Sequence, residues 1–145
     1  MAAETFVIES TMSPEAAFDQ VIDLLQVGEW DRGVRDPRLI DGDPASVGAR
    51  YEVTVTGFDG QPTTVVYELT AVEPMRSFTM VGTHRDFRAE DSVTFETAAD
   101  GCRVTYQASL VLVGDQPALT DEQLTRAFGA LVAVPRSGLE SFLNT

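Results

Sequence analysis

The chain has 145 residues, 43% hydrophobic and 23% charged, a balance that allows one ordinary globular domain with a core of its own. Ten basic residues, all of them arginine, stand against 23 acidic ones, and the formal charge of −13 would repel a phosphate backbone or an anionic bilayer. Nucleic acid is therefore not an expected partner, and no apolar run approaches the roughly 20 residues needed to insert across a membrane.

Met1–Glu4 shows no signal peptide, and Cys102, the one cysteine, has no mate for an internal disulfide, so a cytoplasmic protein is expected, as a monomer or homodimer. Thr5–Thr11 alternates like a strand around Phe6, Val7 and Ile8. Ser13-Pro14-Glu15 then reads as a helix start, with Ser13 as N-cap, Pro14 at the first helical position and Glu15 at the positive end of the dipole. Phe18, Val21, Ile22 and Leu25 give that helix one apolar face. Gly28 is read as its breaker, and a short second turn at Glu29–Arg32 carries Trp30, the only tryptophan.

From Asp36 onward Gly, Asp and Pro punctuate short β-rich runs. Strands are expected at Arg38–Asp41, Ala49–Gly57, Thr63–Glu73, Ser77–Arg85, Ala89–Thr97 and Arg103–Val113. Asp59-Gly60 and Asp100-Gly101 between alternating runs signal tight hairpins. Consecutive strands without an intervening helix argue for an antiparallel meander. Thr120–Leu143 returns to helical spacing: Thr120 and Gln123 form a capping box, Leu124, Phe128, Leu131, Val132, Leu139 and Phe142 make the apolar stripe, and Pro135 should kink or divide the helix. The expectation is a single domain over residues 1–145 of the α+β class.

Strand phase sorts the side chains by face. Tyr51, Val53 and Val55 share one face; so do Val65, Tyr67, Leu69 and Ala71, then Asp91, Val93 and Phe95, then Cys102, Val104, Tyr106, Ala108, Leu110 and Leu112. One face is apolar and the other polar, the pattern of a sheet covered on one side. The C-terminal helix must do most of that covering. Space between a curved sheet and a kinked helix is where small-molecule clefts form. The expected wall is Tyr51, Val53, Val55, Tyr67, Leu69, Phe78, Met80, Val93, Phe95, Tyr106 and Leu110, facing Phe128, Leu131 and Val132, with Trp30 at one mouth.

Chemistry-bearing residues are few. One histidine and one cysteine far apart make no zinc site, and no phosphate loop or nucleophile elbow is present, so neither metal nor cofactor is expected. His84 is in phase with Phe78, Met80 and Gly82, which would point it inward as an acid or base; the alternative is a half-solvated rim residue. Asp91 is in phase with Val93 and Phe95, and a buried carboxylate needs a partner. It either orients a ligand and exchanges a proton, or pairs with an arginine such as Arg35, Arg85 or Arg136. The tyrosines can present hydroxyls to a ligand, or pack with one local hydrogen bond each.

The order of elements resembles the helix-grip fold of the START and polyketide cyclase superfamily, also called SRPBCC. Ser13-Pro14-Glu15-Ala16-Ala17-Phe18 is similar to that family's first helix start. Glu29-Trp30-Asp31 resembles its tryptophan turn, and Val47-Gly48-Ala49-Arg50-Tyr51 the lead-in to its third strand. Glu90–Glu96 with Asp100–Tyr106 is similar to its late hairpin. The chain departs at Thr97, where many relatives carry proline, and at Pro135. The resemblance implies a seven-stranded curved antiparallel sheet wrapped around a long C-terminal helix, with two short helices between the first and second strands. It also implies a cavity for lipids, polyketides or similar hydrophobic molecules. Members of the family include ligand carriers, aromatases and cyclases, and regulators of partner proteins. Three readings follow: a binder of a hydrophobic small molecule, a cyclase-type enzyme using His84 and Asp91, and a regulator that docks a basic partner protein.

Overall fold

The computed structural model describes residues 1–114 and 119–144. Strand β1 (Ala2–Ser10) leads into α1 (Pro14–Ile22) and a short 3-10 helix at Leu24–Glu29. α1 begins where the sequence places it: the Ser13 hydroxyl accepts from the Ala16 N–H at 3.1 Å, and Pro14 occupies the first turn, where no N–H is needed. The 3-10 helix runs through Gly28, so that glycine is not the breaker expected; Trp30 caps the turn instead.

Six strands follow: β2 (Arg35–Asp41), β3 (Arg50–Thr56), β4 (Pro62–Glu73), β5 (Ser77–Thr83), β6 (Phe87–Ala98) and β7 (Gly101–Leu112). The last element is α2 (Asp121–Phe142). The strands form one seven-stranded antiparallel sheet in the order β1-β7-β6-β5-β4-β3-β2. It is the curved sheet with a C-terminal helix of the helix-grip fold, with the two short helices between β1 and β2.

Three local expectations are corrected. A bulge between Leu69 and Ala71 shifts the phase of β4, so Val72, not Ala71, turns toward the core opposite Phe78. β5 stops at Thr83, because His84 and Asp86 already belong to the turn into β6: the Asp86 N–H donates to His84 Nδ1 at 3.0 Å. Pro135 does not divide α2, which is one helix over 22 residues. The capping box is complete. Thr120 Oγ1 accepts from the Gln123 N–H, and the Gln123 side chain accepts from the Thr120 N–H.

Close backbone approach seats α2. A Cβ on Gly138 would lie 1.8 Å from the Trp30 carbonyl oxygen, so only glycine lets the helix rest on the Trp30 turn. The far end of α2 is tied to β1 by the buried Ser10 hydroxyl, which donates to the Leu143 carbonyl at 2.5 Å. Asn144 adds a bond from its side-chain amide to the Glu9 carbonyl.

The inner face of the sheet is filled unequally. Over one half, α1 drives Phe18 edge-on against Phe78 and Phe95, at centroid distances of 6.2 and 5.5 Å. Leu69, Val93, Cys102 and Val104 close this region completely. Each large apolar side chain so buried contributes about 1.5–3 kcal/mol. The other half is not closed in this way.

Candidate functional site: an apolar cavity with an acidic end

Small side chains open the second half. Along β6 the inner face reads Phe87, Ala89, Asp91, and along β7 it reads Tyr106, Ala108, Leu110; register pairs Ala89 with Leu110 and Asp91 with Ala108. On β5 the residue paired with Ala89 is Gly82. α1 does not reach this half, and two alanines in its floor leave room above them.

The result is a cavity of about 210 Å³ between sheet and α2. β3 and β4 line it with Val55, Val65 and Tyr67, β6 and β7 with the residues named above, and α2 with Phe128, Leu131, Val132, Val134 and Pro135. Pro135 lacks an N–H to bond the Leu131 carbonyl, so it interrupts the helix ladder where α2 lines the cavity. Phe58, Leu131 and Val134 keep 37%, 53% and 41% of their surfaces exposed, which makes the mouth apolar as well as the interior. A smaller space of about 30 Å³, the size of roughly one water, lies deeper. It is bordered by Leu24, Val27, Trp30, Tyr51, Val53 and Met80. Both spaces share Asp31, Val34, Tyr67, Asp91 and Tyr106.

Those shared residues carry the chemistry. Tyr106 donates its hydroxyl to Asp91 Oδ2 at 2.5 Å. Its ring stacks on Phe6 at 4.9 Å and meets Trp30 edge-on, which fixes its direction. Burial pushes the Asp91 carboxyl up to about 7; the bond from Tyr106 opposes this, and the charges of Asp31 and Glu90 add to it. Asp31 is raised to about 6, again by burial first, with the Gly33 N–H bonding Oδ1 at 3.2 Å and acting the other way. The hydroxyls of Tyr67 and Tyr106 are both pushed well up by burial and by the two carboxylates, so both stay protonated at neutral pH. Two carboxyls raised toward neutrality, flanked by two protonated phenols, can each take up or release a proton near pH 7.

The Tyr67 ring is held flat over β5. A Cβ on Gly82 would fall 2.7 Å from its Cε1, so the glycine is what lets the ring lie across its paired strand toward Asp91.

Of the residues expected to line a pocket, Val55, Tyr67, Asp91, Tyr106, Leu110, Phe128, Leu131 and Val132 border the main cavity. Trp30, Tyr51, Val53 and Met80 border the deeper space. Leu69, Phe78, Val93 and Phe95 border neither; they lie in the closed half under Phe18. The Tyr51 hydroxyl accepts from the Ala45 N–H at 3.1 Å and so braces the β2–β3 loop.

His84 does not reach the cavity. Its ring stacks on Phe87 at 4.6 Å, Nε2 is bonded to the Thr63 hydroxyl at 2.9 Å, and Nδ1 is held by the Asp86 N–H. Among the described residues no arginine pairs with Asp91: Arg85 pairs with Asp86, while Arg35 and Arg136 are exposed. Sequence reasoning missed Asp31, Phe58 and Phe87. Asp31 follows the tryptophan in an irregular turn, where no period assigns a face.

A curved sheet closed over a long helix, with an apolar chamber and a few convergent polar groups between them, is the helix-grip arrangement. The chain matches the family described as polyketide cyclase/dehydrase and lipid transport over residues 1–135, and it belongs to that family. No curated protein is similar enough in sequence to serve as a relative. Among solved structures it is similar to a START superfamily protein from Mycobacterium smegmatis, with TM-score 0.77 and 11% identity over 98% of this chain and 95% of that one. A conserved protein from Geobacillus kaustophilus gives 0.74 and 15% identity, over 97% and 93%. The di-domain aromatase/cyclase StfQ of steffimycin biosynthesis gives 0.72 and 11% identity, over 98% of this chain and 50% of that one. At these identities the likeness is one of fold.

Proposed function

We propose that this protein binds a small hydrophobic molecule in the chamber between the sheet and α2, with the polar end of that molecule against Asp91, Tyr106, Asp31 and Tyr67. One observation carries the reading: an apolar cavity of about 210 Å³ opens through an apolar mouth and ends on a buried acid cluster. Such a volume within a well-packed fold is a cost to stability unless something occupies it. The family description, which pairs cyclase and dehydrase activity with lipid transport, supports a hydrophobic ligand of the lipid or polyketide kind. The test is native mass spectrometry of the protein purified from its host, together with titration of a fluorescent apolar probe. Retention of a small molecule, or saturable probe binding that Ala89→Leu removes, is the expected result. No retained molecule and no saturable binding would dismiss it.

A second reading is favoured by the protonation of Asp91 near neutrality, which suits an acid–base step of the cyclase type. In that reading Asp91 moves the proton, while His84 acts only by holding Phe87 in the cavity wall. Loss of cyclisation of a poly-β-ketone substrate in Asp91→Asn, but not in His84→Ala, is the expected pattern. Equal loss in both would return His84 to a direct role.

A further inference from the structure

The polar end of the cavity is acidic on every side. Asp31 enters from the turn before β2, Asp91 from β6, Tyr67 from β4 and Tyr106 from β7. β3 and α2 add only uncharged side chains, and among the described residues no arginine or histidine lines either space. Glu90, the exposed neighbour of Asp91, adds a further negative charge nearby.

The hydrogen-bonding capacity here is partly unused. Asp31 Oδ1 takes the Gly33 N–H and Asp91 Oδ2 takes the Tyr106 hydroxyl. The second oxygen of each carboxyl, and the Tyr67 hydroxyl, have no hydrogen-bond partner among the described residues. The Trp30 indole N–H, fully buried beside the same cluster, has none either. The Trp30 N–H is sealed from solvent, a state in which polar groups are seldom left, and the other three face the cavity, where a guest can complete them.

Charge decides what kind of guest. A carboxylate or phosphate head would add a third anion to a pair of carboxyls that already resist ionising together. A hydroxyl can bond one carboxyl but leaves the second charge uncompensated. An ammonium offers three donors, and three acceptors stand open: Asp31 Oδ2, Asp91 Oδ1 and Tyr67 Oη. It also compensates the negative charge and finds aromatic rings beside it in Trp30 and Tyr67. The net charge of −13 draws cations toward the mouth before any contact forms.

We propose that the cavity is built for an amphipathic amine, its hydrocarbon or aromatic body in the chamber and its ammonium between Asp31 and Asp91. The proposal rests on the reading of the chamber as a hydrophobic ligand site and names the head group that site selects.

The test uses three probes with one body: naphthylethylamine, naphthylethanol and naphthylacetate, each titrated calorimetrically into the intact protein at about pH 5 and about pH 8. The amine is expected to bind about tenfold or more tighter than the alcohol at the higher pH, and the carboxylate weakest. Its advantage should shrink at the lower pH, where the carboxyls take up protons and the amine keeps its charge. In Asp31→Asn and Asp91→Asn the ratio of amine to alcohol affinity should fall toward one. Naphthylacetate binding as tightly as the amine, or an amine preference that survives the double variant, overturns the head-group assignment and leaves the chamber a hydrophobic site. If none of the three probes binds, the chamber itself is not a ligand site, and this inference falls with it.

Discussion

Tyr106 reaches diagonally across the β6–β7 ladder to Asp91: register pairs Tyr106 with Val93 and Asp91 with Ala108, yet hydroxyl and carboxylate meet at 2.5 Å. A bond to the ionised form lowers a carboxyl's pKa, so this contact is what keeps Asp91 from rising further. In Tyr106→Phe the Asp91 midpoint should move up by roughly one unit. Carbon-detected titration of the aspartate carboxyls will show it. A downward shift would mean that the hydroxyl bonds the protonated form. The stability lost with the bond should be about 1 kcal/mol.

The two raised carboxyls also make stability fall with rising pH. Folded Asp91 keeps its proton up to about 7, against the usual 3.8 of an exposed aspartate. Between these values the native state binds more protons than the unfolded one, so the Asp91 contribution disfavours folding progressively as pH rises and levels off above about 7. Asp31, raised to about 6, acts in the same direction over a narrower window. Asp91→Asn removes the larger part. It should stabilise the protein at pH 8 by on the order of 2–4 kcal/mol and change it little near pH 4. Urea unfolding of both proteins at the two pH values checks this, because the difference between them isolates Asp91 from the repulsion of the acidic surface.

How much of this was legible in the sequence depends on where the backbone is periodic. Tyr51, Val53, Tyr67, Tyr106 and Leu110 fell on the inner face by alternation alone, because a pleated strand leaves no other choice. The same rule placed Asp91 inward. It failed at His84 and at Ala71, where a turn and a bulge break the period. It had nothing to offer at Asp31, in a turn with no period at all. Alternation also could not separate wall from core: Leu69, Phe78, Val93 and Phe95 are inner-face residues like the rest, and only the docking of Phe18 from α1 closes their half. The readable signal was side-chain size, since glycine or alanine stands on the inner face of three adjacent strands at Gly82, Ala89 and Ala108.

If those small residues make the room, filling it should remove binding without loss of fold. Ala89→Leu projects three more carbons into the cavity from a strand whose backbone bonds are untouched. The expected result is at least about a tenfold loss of apolar-probe affinity with an unchanged or higher melting temperature, as cavity filling usually gives. A fall of more than about 2 kcal/mol would show that the floor is already closely packed.

Gly82→Ala acts on the site from behind. The added methyl would lie 2.7 Å from Tyr67 Cε1, inside any van der Waals contact, and its three nearest atoms all belong to that ring. The ring must lift toward Asp91 and the cavity. Because an aromatic ring moves more cheaply than backbone, the cost to stability should be modest, about 1–3 kcal/mol. Ligand affinity should fall further than in a variant that merely deletes the hydroxyl, so the comparison with Tyr67→Phe is the informative one. Tyr67→Phe loses one bond to the head group, whereas Gly82→Ala loses that bond and part of the volume. Equal affinities in the two variants would place the Tyr67 hydroxyl, rather than the ring's position, at the centre of recognition.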